Sequence, residues 1–106
     1  MTEYIQVITT TNTEEEARVI QRLLVEERAA ACVQVIGPIS SLYWWEGKIE
    51  EAGEWICLAK AKSEDYQKIE SLIKENHTYS VPEILAIPIS AGNKDYLAWI
   101  SQVTST

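Results

Sequence analysis

Hydrophobic and polar positions alternate with a period of two from Tyr4 to Thr11, where Ile5, Val7 and Thr9 stand against Gln6 and Ile8. That period predicts a first strand. The pattern then lengthens: Ala17, Ile20 and Leu24, with Leu23 beside them, recur at helical spacing as far as about Arg28. Asn12 or Thr13, followed three residues on by glutamate, supplies a capping-box start. Glu14, Glu15 and Glu16 fall in the first turn, where the helix dipole favours negative charge. A long arm from Ala31 to Trp45 is rich in β-branched and aromatic residues, which suit a pleated, half-buried surface. Gly37-Pro38 interrupts it and demands an edge, a bend or a bulge. The return arm, Glu54 to Lys62, places Trp55, Cys57, Ala59 and Ala61 on one face and Ile56 and Leu58 on the other. Between the arms, the run Glu46 to Gly53 carries two glycines among charges and reads as a loop. Ser63 caps a second helix whose buried stripe is Tyr66, Ile69, Leu72 and Ile73, fraying near Asn76. Val81-Pro82 forces an extended entry into Ile84 to Ile89, a nearly continuous apolar run of the kind found in a strand buried on both faces or central in a sheet. Pro88 ends that strand or restricts it to pairing on one side. After the turn and cap at Ala91-Gly92-Asn93, a last helix presents Tyr96, Trp99, Ile100 and Val103.

The order is β-α-β-β-α-β-α. Two β-α-β crossovers around a hairpin predict an α+β, ferredoxin-like split-βαβ sandwich: one antiparallel sheet, two helices on one face, and an extra C-terminal helix. The 106 residues make one domain, 1–106. The β2-β3 hairpin exceeds the usual strand of about five or six residues, so it overhangs the domain. Trp44, Trp45 and Trp55 are expected on this overhang, which would pack on another subunit. The sheet face opposite the helices is bare in a monomer, and such a patch points to self-association in a closed ring.

Composition narrows the function. The formal charge is −7, with one histidine. Nucleic acid and anionic membranes both need a basic footprint, so neither is an expected partner. No leader precedes Tyr4, and no apolar run approaches the roughly 20 residues of a membrane helix, which leads to the expectation of a cytoplasmic protein. Cys32 and Cys57 form no CxxC motif and read as two small buried thiols. The first strand-to-helix turn has no glycine and carries three carboxylates, so it cannot cradle a phosphate. No catalytic triad, protected carboxylate pair or cofactor fingerprint stands out, and no catalysis is assigned.

His77 is the sharpest single residue, with Tyr79, Ser80 and Glu83 close behind it. An imidazole there can serve as a metal ligand, as a general base, or as a hydrogen-bonded structural or subunit-contact group. A copper or zinc shell there needs Cys32, Cys57 or Glu83, or groups from another subunit. Lys48, Glu50 and Glu51 mark the hairpin tip, either as a charged site or as a solvated turn. Tyr43, Trp44, Trp45 and Trp55 suit either a planar ligand or interface packing.

Five spaced motifs resemble the CutA family of divalent-cation tolerance proteins: Ala31-Cys32-Val33, Ser41 through Glu50, His77-x-Tyr79, Val81-Pro82-Glu83, and Tyr96-Leu97-x-Trp99-Ile100. The resemblance implies a ferredoxin-like, cytoplasmic homotrimer, similar in architecture to PII signalling proteins. It implies a link to copper or other divalent ions, with no cofactor required. Some family members carry a cysteine on the first strand and a second histidine before the motif histidine. Thr9 and Asn76 stand at those positions here, leaving His77, Cys32 and Glu83 as the expected metal ligands. The alternative is a PII-like signalling or scaffold trimer. Its subunit clefts, around Tyr43, Trp45, Lys48, Glu50 and Tyr79, would hold a small molecule or a partner protein.

Overall fold

The computed structural model describes residues 3–105. Four strands form one sheet in the order β2-β3-β1-β4, every neighbouring pair antiparallel. The strands are β1 (Tyr4–Thr11), β2 (Cys32–Trp45), β3 (Lys48–Lys62) and β4 (Ile84–Pro88). The helices are α1 (Glu14–Glu26), α2 (Tyr66–Glu75) and α3 (Lys94–Thr104). Mixed α and β elements in this sheet order are those of the expected ferredoxin-like fold. No helix among the described residues is long and apolar enough to cross a membrane.

Strand parity sets the layers. Ile5 and Val7 of β1 and Cys57, Ala59 and Ala61 of β3 point to one face, where they meet Ala17, Ile20 and Leu24 of α1 and Ile69 and Ile73 of α2. These side chains are almost wholly removed from water. Thr13 caps α1 by accepting a bond from the Glu16 N–H at 3.1 Å, which resolves the choice between Asn12 and Thr13. The helix stops at Glu26, since Arg28 takes a left-handed φ of 56° and the Ala29 and Ala30 N–H groups turn back to the Leu24 carbonyl. Asn93 caps α3 as expected, accepting from the N–H groups of Asp95 and Tyr96.

Several expectations are corrected. The region from Glu46 to Gly53 is not a loop. Only Glu46 and Gly47 form the turn, both with positive φ (49° and 79°), and Trp45 pairs directly with Lys48. Two such residues fit the primed turn whose twist matches that of a hairpin. The strand continues through Gly53 because both faces of the ribbon are wet there, so charged side chains alternate without conflict. Ser63 begins a 3-10 turn, Ser63–Asp65, that leads into α2, so the residue at the α2 N-cap is Asp65, whose side chain makes no capping bond. β4 ends at Pro88 and pairs with β1 alone, as Pro88 required, so it is an edge strand and not the central one its apolar run suggested. Leu85 and Ile87 therefore remain exposed on the face away from α1 and α2. That face is not wholly bare. At one end α3 lies against it, with Ile100 buried, the Tyr4 hydroxyl 2.6 Å from Ser101 Oγ, and Lys62 Nζ donating to Ser105 Oγ. Cys32 is half-buried rather than buried, because it lies opposite Lys60 at the start of β2, on this second face.

The overhang follows from the register. β1 pairs with β3 only from Trp55 to Lys62, so the ribbon from Ile39 to Glu54 has two strands and no third; Trp44 and Trp45 lie on it, whereas Trp55 lies within the sheet, opposite Thr11 and against the core. A one-residue bulge between Ile36 and Ile39 absorbs Gly37-Pro38. The Trp55 indole packs over Gly37, where a Cβ would collide with the ring.

Candidate functional site

A cleft forms where the ribbon leaves the sheet. The segment after α2 folds across the end of β1 and is pinned there by His77. The His77 Nδ1 accepts from the Tyr79 N–H at 3.1 Å, so the ring proton sits on Nε2 and is donated to the Thr10 carbonyl at 2.7 Å. Both ring nitrogens are thus engaged within the chain. Glu16 ties the same segment to α1 by accepting from the Thr78 N–H at 2.8 Å. The Tyr79 ring lies 4.9 Å from that of His77, and its hydroxyl donates to Glu54 at 2.7 Å.

The cleft is open and holds about 750 Å³. One wall is the ribbon, contributing Ser41, Tyr43, Trp45, Glu50 and Glu54; the other is Thr78 to Val81 with Glu83. Register explains the ribbon wall. Tyr43 lies directly opposite Glu50, and Trp45 opposite Lys48, so all four side chains share one face with Glu54. Glu54 is only 6% exposed although it carries a carboxylate. Burial, reinforced by the bond to Glu54, holds the Tyr79 hydroxyl well above the usual phenol value, so the proton stays on the tyrosine. No lysine, arginine or histidine is among the residues lining the cleft.

The expected cleft residues largely meet. Tyr43, Trp45, Glu50 and Tyr79 line one cavity, while Lys48 shares their face but lies beyond it at the ribbon tip. Glu83 joins the same cavity, and His77 stands behind Tyr79. Cys32 does not join them. It is two strands across and four residues along from Thr10, roughly 16 Å by ordinary sheet spacings. Cys57 is buried under α1, with its Sγ 3.6 Å from the Ala17 carbonyl. Burial pushes its thiol up to about 11, partly offset by Arg18, so it is not a thiolate at neutral pH. Among the described residues, no three His, Cys, Asp or Glu side chains converge on a point that would hold a metal ion. The described residues of a single chain therefore do not assemble the soft shell that copper prefers. Sequence reasoning missed Glu54 and Thr10. The signal for Glu54 was available, since it shares the parity of Glu50 on an unbroken strand.

These features define a class: an antiparallel sheet with two helices on one face, an overhanging two-stranded ribbon, and a cleft at the ribbon's root. The family model described as CutA1 divalent ion tolerance protein matches residues 5–103. The chain belongs to the CutA1 family. It is 42% identical over 98 residues to the divalent-cation tolerance protein CutA of Thermus thermophilus, covering 92% of this chain and 95% of that protein. The solved structure of CutA1 from Shewanella sp. SIB1 superposes with a TM-score of 0.95 at 35% identity, over 99% of this chain and 98% of that one. That of CutA from Archaeoglobus fulgidus, described as a periplasmic divalent cation tolerance protein, gives 0.94 at 39% identity, over 96% and 99%.

Proposed function

We propose that this chain acts in tolerance of divalent cations as a homotrimer in the cytoplasm. It binds copper or another divalent ion weakly, carries out no catalysis, and requires no cofactor. Family membership over residues 5–103 carries the reading. Self-association is supported by the unpartnered ribbon, where Leu42 and Trp44 are 70% and 71% exposed, and by Ile36, Leu85 and Ile87 on the open sheet face. Two free cysteines suit a reducing compartment. His77 and Glu83 are the proposed ligands, with Cys32 supplied by a second subunit. The ion must displace either the Tyr79 N–H or the Thr10 carbonyl from the imidazole, which keeps affinity low. The test is survival of a bacterial strain lacking its own CutA1 protein under graded copper, with this chain restored. Recovery that is lost in His77→Ala supports the reading; no recovery from a well-expressed chain overturns it.

The cleft favours a second reading, a PII-like signalling or scaffold trimer that holds a small molecule or partner there. A cavity of about 750 Å³ falls in the range of ordinary ligand sites. A ligand that binds only the native state raises the melting point by mass action, so a thermal-shift screen checks this reading. No shift with any compound leaves it unsupported.

A further inference from the structure

We propose that residues 77–81 form a strap that opens as a unit, and that Glu16 is its latch, a carboxylate with two alternative seats. Between α2 and β4 the chain has neither helix nor strand, and among the described residues no backbone-to-backbone bond outside helices and strands involves positions 77–81. Side chains hold the strap instead. Three bonds tie it to the rest of the molecule: His77 Nε2 to the Thr10 carbonyl, the Thr78 N–H to Glu16, and the Tyr79 hydroxyl to Glu54. A fourth, from the Tyr79 N–H to His77 Nδ1, lies inside the strap and keeps its shape when the other three release.

Glu16 supplies the second seat. Thr13 and Glu16 are the two ends of a capping box, and the threonine half is made, its hydroxyl accepting from the Glu16 N–H at 3.1 Å. In the reciprocal half of such a box the glutamate accepts from the N-cap N–H. Here Glu16 Oε2 accepts from the Thr78 N–H at 2.8 Å instead, while Oε1 is closed off from water and has no partner. An unserved carboxylate oxygen is costly. When the strap lifts, Oε1 regains water and the carboxylate turns back to the Thr13 N–H, one turn of helix away. These gains offset part of the three lost bonds, which makes the strap a low-stability segment of the kind from which lids are drawn. Opening withdraws the wall formed by Thr78 and Tyr79, and it frees the Glu54 carboxylate and the Thr10 carbonyl for another partner.

The experiment is native-state amide hydrogen exchange read by NMR, on the full chain in its native assembly at one fixed pH. Glu16→Ala, Glu16→Gln and Thr13→Ala are measured beside the parent. In the parent, the Thr78 and Tyr79 amides are expected to exchange through one shared opening that low guanidinium does not affect. The Val7 and Ala59 amides, in central strands, wait for a larger unfolding. Glu16→Ala should speed the two strap amides about tenfold, the loss of one charge-assisted bond less the offset, and leave Val7 and Ala59 unchanged. Glu16→Gln keeps an oxygen for the Thr78 N–H and restores part of the protection. Thr13→Ala removes the helix cap without touching a strap bond, so the strap amides should keep the parental rate. Strap amides that exchange only together with the core, or that Glu16→Ala does not move, overturn the proposal. Equal acceleration by Thr13→Ala also overturns it, because the strap would then follow fraying of α1. The thermal-shift screen reads occupancy of the cleft separately, so failure of the strap and failure of the cleft reading are distinguishable.

Discussion

The Tyr79–Glu54 bond joins the loop after α2 to the ribbon and is the contact that shapes the cleft. Replacing Tyr79 with Phe keeps the ring against His77 and removes only the hydroxyl. Its partner is a carboxylate 2.7 Å away on a residue 6% exposed, so the bond is charge-assisted and water reaches the abandoned oxygen only through the cleft. Hydrogen bonds to charged groups contribute a net of about 1.5–3 kcal/mol, and cleft water places this one near the lower end, at about 2 kcal/mol. Glu54→Gln retains an acceptor but loses the charge, so it costs less, about 1 kcal/mol by the difference between charged and neutral bonds. The double variant separates the pair from its surroundings, with a coupling of about 1 kcal/mol expected. The assay is guanidinium unfolding followed by far-ultraviolet circular dichroism, at one fixed chain concentration because the proposed association would contribute to stability. Midpoints should fall while the slopes stay constant. A Tyr79→Phe loss below about 0.5 kcal/mol, the level of an ordinary surface change, would refute the bond as an organising contact.

Alkaline pH tests the protonation side of the same site. Tyr79, Tyr66 and Tyr96 are all held above the usual phenol value, first by burial, and Cys57 rises from 9.0 to about 11. Folding therefore retains protons that the unfolded chain releases. This stability is fully present below about pH 9 and is lost as pH climbs through the raised values, with a shallower decline in Tyr79→Phe, read from melting temperatures across pH 8–11.5. Ile20→Ala, at a side chain with no exposure beneath the helix layer, should cost about 2–5 kcal/mol in the same unfolding assay. Gly37→Ala must displace the Trp55 indole, so tryptophan fluorescence shifts and stability falls by about 1–3 kcal/mol, the range for overpacking. An unshifted spectrum would mean that the ring does not rest on Gly37 in solution.

Most of the fold was legible because its elements bury one face. β1 and α1 show clean periods of two and 3.6, since each has a wet side and a dry side. In β4 Pro88 correctly pointed to one-sided pairing, but the apolar run misled for a physical reason. Leu85 and Ile87 are exposed, yet they are as apolar as the residues of a strand buried on both faces, so the run reads as a central strand. Gly53 misled in the opposite sense, because a ribbon wet on both faces tolerates the glycine and charges that usually mark loops. The ribbon wall of the cleft becomes readable once the turn is fixed at Glu46-Gly47, for Tyr43 then faces Glu50. The opposite wall was not readable. The Tyr79–Glu54 bond spans 25 positions in the chain, and His77 reaches a carbonyl 67 positions away, so neither leaves a local pattern.

The central claim is a divalent-cation protein whose single histidine is already engaged within its own subunit. The most direct measurement is a copper titration of the tag-free protein against a calibrated chelator, under reducing and oxidising conditions, with mass taken by light scattering on the same samples. The account predicts three chain masses and weak, saturable binding at a fixed ratio per subunit, lost in His77→Ala. A monomeric mass, or binding no better than the chelator baseline, would contradict it.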